Sequence, residues 1–279
     1  MVIVKLYGGL GNQMFQYAAG VSLASKLDSE LYMDLNWFDA IKGNPAVTQR
    51  IYELKDFGIN PKLIGWKEKA ELKLKSPTNF QEDGLDFNKG FNKLKGNVVL
   101  DGYWQSYKYF DGSSQVVRNE FSFPRKISAK NKALLRKING SNSVSLHVRR
   151  GDYNTQVGRK YHGLISTVYY ERALKDLSKT NKNLRLFVFS DEIDWCKENL
   201  EIATKAQTEF VDSNSSNTGV EDMRLMSACK HNIIANSSFS WWAAWLNTNP
   251  KKQIYAPRQW IKAVKVDLKD RVPEGWRII

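Results

Sequence analysis

The segment at residues 145–153 carries the residues whose types are best suited to chemistry. It reads SLHVRRGDY and places His147, two adjacent arginines and Asp152 at and just after the apolar run 144–148. Such a run is typical of a buried strand, and open α/β sheets bind ligands beyond the carboxyl ends of their strands. Paired guanidiniums suit phosphate oxygens, because each is planar, permanently charged and able to donate two parallel hydrogen bonds. The segment therefore indicates a site for an anionic group, with an arginine pair on a solvated loop as the alternative.

A second polar cluster follows another short apolar run. Asn236, Ser237 and Ser238 come directly after the stretch 232–235 and directly before a tryptophan-rich helix. Small amide and hydroxyl side chains at the start of a helix, together with its unpaired N–H groups, are a common way to hold a phosphate. These residues are therefore candidate phosphate contacts, with simple helix capping as the alternative. The tryptophans within residues 241–245 are expected to pack inside the fold.

A glycine-rich loop lies near the start of the chain. The apolar run 2–6 predicts a strand, residues 8–11 predict a turn, and Asn12 is expected to cap a helix that continues to about Lys26. A loop of this kind can place backbone N–H groups against a ligand. Met14 stands where a dinucleotide fingerprint requires its third glycine, so the loop does not support an NAD site.

Length and composition limit the classes of protein to consider. The chain has 279 residues, which suits two domains of moderate size, and no window approaches about 18 consecutive apolar residues. Its only cysteines, Cys196 and Cys229, are far apart, which indicates a reducing compartment and no structural zinc site. The net charge of +13 indicates an anionic partner, yet no nucleic-acid-binding module is recognisable. We therefore expect a cytoplasmic protein without signal peptide or transmembrane helix, with a possible peripheral contact to an anionic membrane face.

Strands alternate with helices in both halves of the chain. This pattern predicts parallel βαβ units and thus an α/β fold. The polar loop 139–143 marks the expected junction, which gives an N-terminal domain of residues 1–138 and a C-terminal domain of residues 139–279. The aromatic segment 102–110 is expected to be core, with a sugar-stacking surface around Trp104 as the alternative.

Several blocks of the chain together resemble one known family, the α1,2-fucosyltransferases of glycosyltransferase family 11. They stand in the family's order and span nearly the whole chain, which makes the set far more specific than any single block. The blocks are residues 8–17, 102–106, 147–153, 189–191, 221–226 and 235–242.

This resemblance implies a GT-B-type fold, with two Rossmann-like domains facing a cleft and the nucleotide in the C-terminal half. It also implies inverting transfer of L-fucose from GDP-fucose to the 2-hydroxyl of a terminal galactoside, on an oligosaccharide or a glycolipid. The more distant α1,6- and protein O-fucosyltransferases share the His-x-Arg pattern, in which the arginine contacts the diphosphate. By that similarity, Arg149 and Arg150 would neutralise the departing β-phosphate, and His147 would lie beside the nucleotide.

The resemblance also implies roles for residues outside this pattern. Asp222 is similar to an acidic residue that recognises guanine or ribose, and Phe239, with the two preceding serines, matches a segment along the phosphates and base. Asn12 matches an asparagine near the sugar-phosphate linkage. Asp191 ends a strand and is a further candidate for donor binding, with a helix N-cap as the alternative.

The chemistry of sugar transfer is consistent with these residues. Breaking a sugar-phosphate bond develops negative charge on the diphosphate, so fixed cations and N–H donors there should contribute most to catalysis. The chain contains no Asp-x-Asp motif for a divalent metal, and we expect the arginines to act instead, without metal or other cofactor. The acceptor hydroxyl must lose a proton, and Asp152, which adjoins the arginines, is the candidate base.

Two other functions remain open at this point. Another nucleotide-sugar transferase of the same architecture would differ in its donor or acceptor. A non-catalytic glycan-binding protein would use the aromatic residues around Trp104, but it would not need the arginine pair.

Overall fold

The computed structural model describes residues 1–45, 47–201, 207–212, 214 and 219–279, with the side chains of 72–75 outside that description. The chain forms two compact units, Met1–Pro124 and Arg125–Ile279. The sequence placed the junction later, after residue 138. The difference arises because the helix Ala129–Asn139 packs against the helix Gly219–Ala228 and a central strand of the second unit.

The first unit is built on a four-stranded parallel sheet with the order β2-β1-β4-β3. Its strands are β1 Val2–Lys5, β2 Leu31–Asp34, β3 Thr78–Gln81 and β4 Val98–Asp101. Its helices are α1 Leu10–Lys26, α2 Asn36–Ala40, α3 Trp66–Lys75 and α4 Ser114–Glu120, with 3-10 turns at Leu54–Phe57, Lys89–Lys93, Tyr107–Tyr109 and Asp111–Ser113. The strand order reverses between β1 and β4.

The second unit is built on a six-stranded parallel sheet with the order β10-β9-β8-β5-β6-β7. Its strands are β5 Asn142–Val148, β6 Leu184–Ser190, β7 Gln207–Phe210, β8 His231–Ile233, β9 Ile254–Ala256 and β10 Arg277–Ile278. Its helices among the described residues are α5 Ala129–Asn139, α6 Gln156–Tyr161, α7 Thr167–Thr180, α8 Ile193–Asn199, α9 Gly219–Ala228, α10 Ser238–Leu246 and α11 Leu268–Arg271, with a 3-10 turn at Gly151–Asn154. The strand order reverses between β5 and β8.

The core of the second unit follows from the sequence pattern. β5 is buried along almost its whole length, as expected for a parallel strand covered on both faces. α7 buries Tyr169, Tyr170, Ala173 and Leu177, the helical spacing that turns one face toward the sheet. In α10 the tryptophans are buried, which confirms that they pack inside the fold.

The first helix begins earlier than the sequence predicts. α1 starts at Leu10 with Gly9 as its N-cap, so the prediction that Asn12 caps this helix is wrong. The carboxylate of Glu53 accepts a hydrogen bond from the backbone N–H of Leu10, and burial raises the pKa of that carboxyl group. The Glu53 carboxylate thus lies at the N-terminus of α1, which is the positive end of the helix dipole.

The aromatic segment after β4 divides into core and surface. Trp104, Tyr109 and Phe110 are buried, which confirms the expectation of core packing. Phe80 stacks on Trp104 with ring centroids 5.7 Å apart. The Trp104 ring itself is therefore not available to stack on a sugar, whereas Tyr103 of the same segment remains exposed.

Candidate active site

The two polar clusters predicted from the sequence meet where the second sheet reverses its strand order. β5 ends in His147 and Val148 and leads into the loop that carries the arginines, while β8 leads into Asn236 and the start of α10. The Tyr153 hydroxyl donates a hydrogen bond to the backbone C=O of Asn236 at 3.3 Å. Such a reversal is where parallel α/β sheets bind ligands. The second unit therefore holds a candidate anion site at this edge.

Arg149 lies between two carboxylates. Its Nη2 is 2.6 Å from Oδ1 of Asp152, and its Nη1 is 2.8 Å from Oδ2 of Asp191. Burial lowers the pKa of Arg149, but the two carboxylates, Asp191 first, outweigh burial and the pKa is raised. The side chain is 24% exposed. The guanidinium is thus permanently charged and oriented by two anions, on a side chain that remains partly exposed.

Arg150 has a different environment from its neighbour. Its Nε donates to Oε2 of Glu192 at 2.7 Å, and its guanidinium lies over the ring of Trp195, 3.7 Å from the centroid. The side chain is only 14% exposed. A cation held by both an ion pair and an aromatic face is anchored more firmly than one held by an ion pair alone. The two arginines are therefore not equivalent.

Asp191 organises the loop rather than the following helix. Its Oδ1 accepts the backbone N–H of Arg150 at 2.9 Å, while its other oxygen pairs with Arg149. The N-cap of α8 is Glu192, and no side chain caps this helix. The interpretation of Asp191 as a helix cap is therefore wrong, and its contacts orient the arginine loop.

Asp152 lies in a tightly packed turn. It belongs to the 3-10 turn Gly151–Asn154, and α6 follows directly. A Cβ placed on Gly158 would lie 2.2 Å from the backbone oxygen of Asp152. This position therefore requires glycine, and the turn holds Asp152 against Arg149.

His147 is buried and uncharged. Burial, with a smaller contribution from Arg149, lowers its pKa to about 3. Its ring lies 5.7 Å from the ring of Phe239, and its Nδ1 has no hydrogen-bond partner among the described residues. His147 therefore contributes a neutral imidazole near neutral pH, not a cation.

Asn236 has a structural task. Its Nδ2 donates to the backbone oxygens of His162, Gly163 and Trp260, at 3.2 Å, 3.3 Å and 3.2 Å. Ser237 is the N-cap of α10 but makes no side-chain cap, and Ser238 is the first residue of the helix. The interpretation of these residues as simple helix caps is therefore wrong. The first turn of α10 instead offers N–H groups of the kind that bind phosphate.

Asp222 lies in the first turn of α9. Its Oδ1 accepts a hydrogen bond from Nδ2 of Asn214 at 2.6 Å. Burial raises its pKa to about 6; the hydrogen bond from Asn214 lowers it, and the neighbouring Glu221 raises it. α9 packs against α10, and a Cβ on Gly219 would lie 3.5 Å from the ring of Phe239. The sequence also predicts a polar loop at residues 212–219, of which positions 213 and 215–218 lie outside the described residues.

Several residues near the arginines were not predicted as part of the site. The rings of Tyr153 and His162 stack with centroids 4.0 Å apart and planes within 1°. Burial lowers the pKa of His162, Asp152 raises it and Arg149 lowers it, so these groups share one electrostatic environment. Glu192 and Trp195, the partners of Arg150, were also missed. The only sequence signal for Glu192 was its position directly after Asp191 at the end of a strand.

Two features of the described residues bear on cofactors and membranes. Within those ranges, no three His, Cys, Asp or Glu side chains are grouped so that they could hold a metal ion. Across the same ranges, every helix is too short or too polar to cross a bilayer.

Comparison with known proteins gives consistent results. The family model described as Glycosyl transferase family 11 matches residues 1–277. An Escherichia coli alpha-1,2-colitosyltransferase is 35% identical over 288 residues, covering 99% of this chain and 98% of that protein. Galactoside alpha-(1,2)-fucosyltransferase 1 of Lagothrix lagotricha is 25% identical, covering 86% of this chain and 63% of that protein.

Among solved structures, the fold is similar to that of a NodZ alpha-1,6-fucosyltransferase crystal soaked with GDP-fucose. The TM-score is 0.51 at 13% sequence identity, over 88% of this chain and 91% of that one. This likeness confirms the predicted GT-B-type α/β fold. Because the family model spans nearly the whole chain, the protein belongs to glycosyl transferase family 11.

Proposed function

We propose that the protein transfers L-fucose from GDP-fucose to the 2-hydroxyl of a terminal galactoside, with inversion and without a metal ion. The observation that carries the proposal is Arg149, a charged and partly exposed arginine where the second sheet reverses its strand order. Membership in the family and the names of the similar α1,2-transferases support the reaction class. The excess of positive charge on the chain would favour an acceptor carried at an anionic membrane face.

The reaction places clear demands on the site. The bond between C1 of fucose and the β-phosphate oxygen breaks, and GDP leaves with its electron pair. The 2-oxygen of the galactoside forms the new bond from the opposite face of the sugar, which inverts the anomeric centre, and its proton passes to a base. Negative charge grows on the diphosphate, so a preorganised cation there stabilises the transition state.

The arginine pair that the sequence predicted divides into two roles in this proposal. Arg149 contacts the β-phosphate, because its charged side chain is partly exposed and is oriented by two carboxylates. Arg150 positions the loop through Glu192 and Trp195, and its charge adds to the positive potential at the phosphate. Asp191 contributes to donor binding by orienting Arg149.

The remaining donor contacts follow the second sheet and α10. The N–H groups at the start of α10, with Ser237 and Ser238, would bind phosphate oxygens, and Asn236 would hold that turn in place. Asp222 would accept hydrogen bonds from guanine, with Phe239 against the base and neutral His147 beside the nucleotide. In the first unit, Asn12 is proposed to approach the sugar-phosphate linkage.

A donor panel tests the proposed function. Purified protein would be incubated with lactose and, in turn, GDP-fucose, GDP-mannose and UDP-galactose, and the product linkage would be read by NMR. We expect an α1,2-fucosyl product from GDP-fucose only. Formation of no product from GDP-fucose, with transfer from another donor, would show that the donor assignment is wrong.

Colitose is the second candidate sugar, because the similar Escherichia coli protein is an alpha-1,2-colitosyltransferase. Colitose lacks the 3-hydroxyl of fucose, so a site that hydrogen-bonds this hydroxyl would reject colitose, whereas an apolar site would discriminate weakly. The ratio of kcat/KM for GDP-fucose and GDP-colitose decides between them. We expect GDP-fucose to be the better donor.

Activity is expected to persist in excess EDTA. Arg149, rather than a bound divalent ion, stabilises the leaving diphosphate in this proposal. The measurement is the initial rate of GDP release before and after dialysis against EDTA, with magnesium or manganese added back to a parallel sample. Loss of activity that either metal restores would overturn metal independence.

Asp152→Asn is expected to reduce kcat more than donor binding. Asp152 is our candidate for the base that accepts the acceptor proton, and an amide cannot accept that proton. The measurements are kcat and the dissociation constant for GDP, with Asp194→Asn on α8 as an exposed control. Near-normal kcat with weakened GDP binding would instead assign Asp152 to the positioning of Arg149.

A further inference from the structure

The sheet of the first unit also reverses its strand order, and aromatic side chains gather where it does. The reversal lies between β1 and β4, which are parallel neighbours. Tyr7 follows β1, Tyr103 follows β4, and Trp37 follows the adjacent strand β2. Parallel strands end at the same edge of a sheet, and the reversal is where such sheets bind ligands. All of these residues belong to the first unit.

The aromatic rings form one partly exposed surface. Tyr7 and Tyr103 pack edge to face with ring centroids 4.9 Å apart, and Trp37 lies 6.1 Å from Tyr7. Tyr103 is 41% exposed. Burial, and next the charge of Asp101, raise the pKa of Tyr7, so its phenol stays protonated and neutral. A surface of this kind can stack against the apolar face of a sugar ring.

The same edge carries a balanced pair of charges. Nζ of Lys5 is 2.8 Å from Oδ2 of Asp101, and the Tyr7 hydroxyl is 3.5 Å from Oδ1 of the same carboxylate. The Lys5 and Asp101 side chains are both partly exposed. A lysine and a carboxylate side by side offer donors and acceptors without net charge. This arrangement suits sugar hydroxyls and does not select for a phosphate.

The loop that presents Tyr103 is held in an unusual conformation. The carboxylate of Glu82 accepts the backbone N–H groups of Tyr103 and Trp104, at 2.6 Å and 3.0 Å. Trp104 is fully buried with φ of 54°, a left-handed conformation that is rare for a bulky residue. Nε2 of Gln105 donates to Oδ1 of Asn12 at 2.7 Å, which ties this loop to the glycine-rich loop after β1. Strain of this kind is kept where the surrounding structure fixes the backbone, often at binding sites.

We propose that Tyr103, Tyr7 and Trp37, with Asp101 and Lys5, form the subsite that binds the neutral hexose ring of the acceptor. In a β-galactoside the hydrogens on C3, C4 and C5 form one apolar face, which would lie on the rings while hydroxyl groups reach the charged pair. This inference rests on the proposed function for the identity of the reaction, but the residues that would bind the sugar are new.

The test uses the full chain with Tyr103→Ala and the conservative variant Tyr103→Phe. Trp66→Ala is the matched control, because Trp66 lies on α3 of the same unit and is 76% exposed. Saturation-transfer NMR with methyl β-D-galactopyranoside measures sugar binding without a donor, and steady-state kinetics with lactose measure the acceptor KM at saturating GDP-fucose. Thermal melting checks that each variant is folded.

We expect Tyr103→Ala to raise the acceptor KM about tenfold, with little change in the KM for GDP-fucose. Its saturation transfer to the galactoside should fall, while Tyr103→Phe and Trp66→Ala stay close to the wild type. An acceptor KM within about twofold of the wild type in Tyr103→Ala would overturn the subsite, as would absence of saturation transfer in the wild-type protein. If Tyr103-dependent NMR signals appear but no fucose is transferred, the subsite stands and the proposed donor fails.

Discussion

Arg149→Ala is expected to lower kcat by about a hundredfold or more, the loss that follows removal of a preorganised donor at developing negative charge. Arg149→Lys should recover little of it, because a lysine cannot donate the two parallel hydrogen bonds of a guanidinium. Arg150→Ala should cost less than tenfold in kcat, since Glu192 and Trp195 engage this side chain. The measurements are kcat and the dissociation constant for GDP, with Arg136→Ala on the exposed face of α5 as the control.

A double variant separates a catalytic role of Arg149 from a purely structural one. Removing the guanidinium leaves the carboxylates of Asp152 and Asp191 without the cation that they share. The double variant Arg149→Ala with Asp191→Asn removes one of those charges and should recover thermal stability. If the double variant also recovers activity, Arg149 serves only to hold the loop. If stability returns and activity does not, the guanidinium acts on the substrate.

Asp222→Asn is expected to weaken GDP binding by about tenfold to a hundredfold. A hydrogen bond to a charged group contributes about 1.5–3 kcal/mol, and an amide cannot accept two guanine N–H groups as a carboxylate can. Isothermal titration of GDP and of inosine diphosphate, which lacks the exocyclic amine, measures the contribution of the base. Equal loss for both nucleotides, or no loss for either, would show that Asp222 does not recognise the guanine amine.

GDP binding by the wild-type protein should also weaken in acid. Burial raises the pKa of Asp222 to about 6 in the folded chain, against an ordinary value of 3.8. The protonated carboxyl therefore stabilises the fold below about pH 4, and this contribution is lost as the pH rises through 6. The ionised form accepts the guanine donors, so affinity should fall by about tenfold between pH 7 and pH 5. Asp222→Asn should lack this pH dependence.

The sequence indicates the apolar strands but not the polar strands β3 and β7. β5 and β6 are continuous apolar runs, the pattern of parallel strands buried on both faces. β3 and β7 carry polar residues and lie at sheet edges, so their strand conformation depends on a neighbour distant in the chain. The junction between the units was misplaced for a similar reason, since α5 packs against α9, which lies far along the sequence.

The residue types of the candidate site could be predicted, but their partners could not. The arginine loop stood out because two adjacent guanidiniums follow an apolar run, at the end of a strand where open α/β sheets bind ligands. The different roles of Arg149 and Arg150 depend on their partners Asp191 and Glu192, which lie about forty residues further along the chain. The pairing of β5 with β6 brings these partners close to the arginines. Asn236 was chosen as a phosphate contact, and only its three backbone acceptors show that it holds loops together.

Each sheet has its own reversal of strand order, so the specificities for donor and for acceptor can change independently. Loops that extend from the end of a strand can be lengthened or replaced without disturbing the register of the strands beneath them. If the sugar nucleotide binds at one sheet and the receiving glycan at the other, as proposed, either preference can be exchanged while its counterpart stays intact. Chimaeras that swap whole units are then expected to combine the donor preference of one parent with the glycan preference of the other.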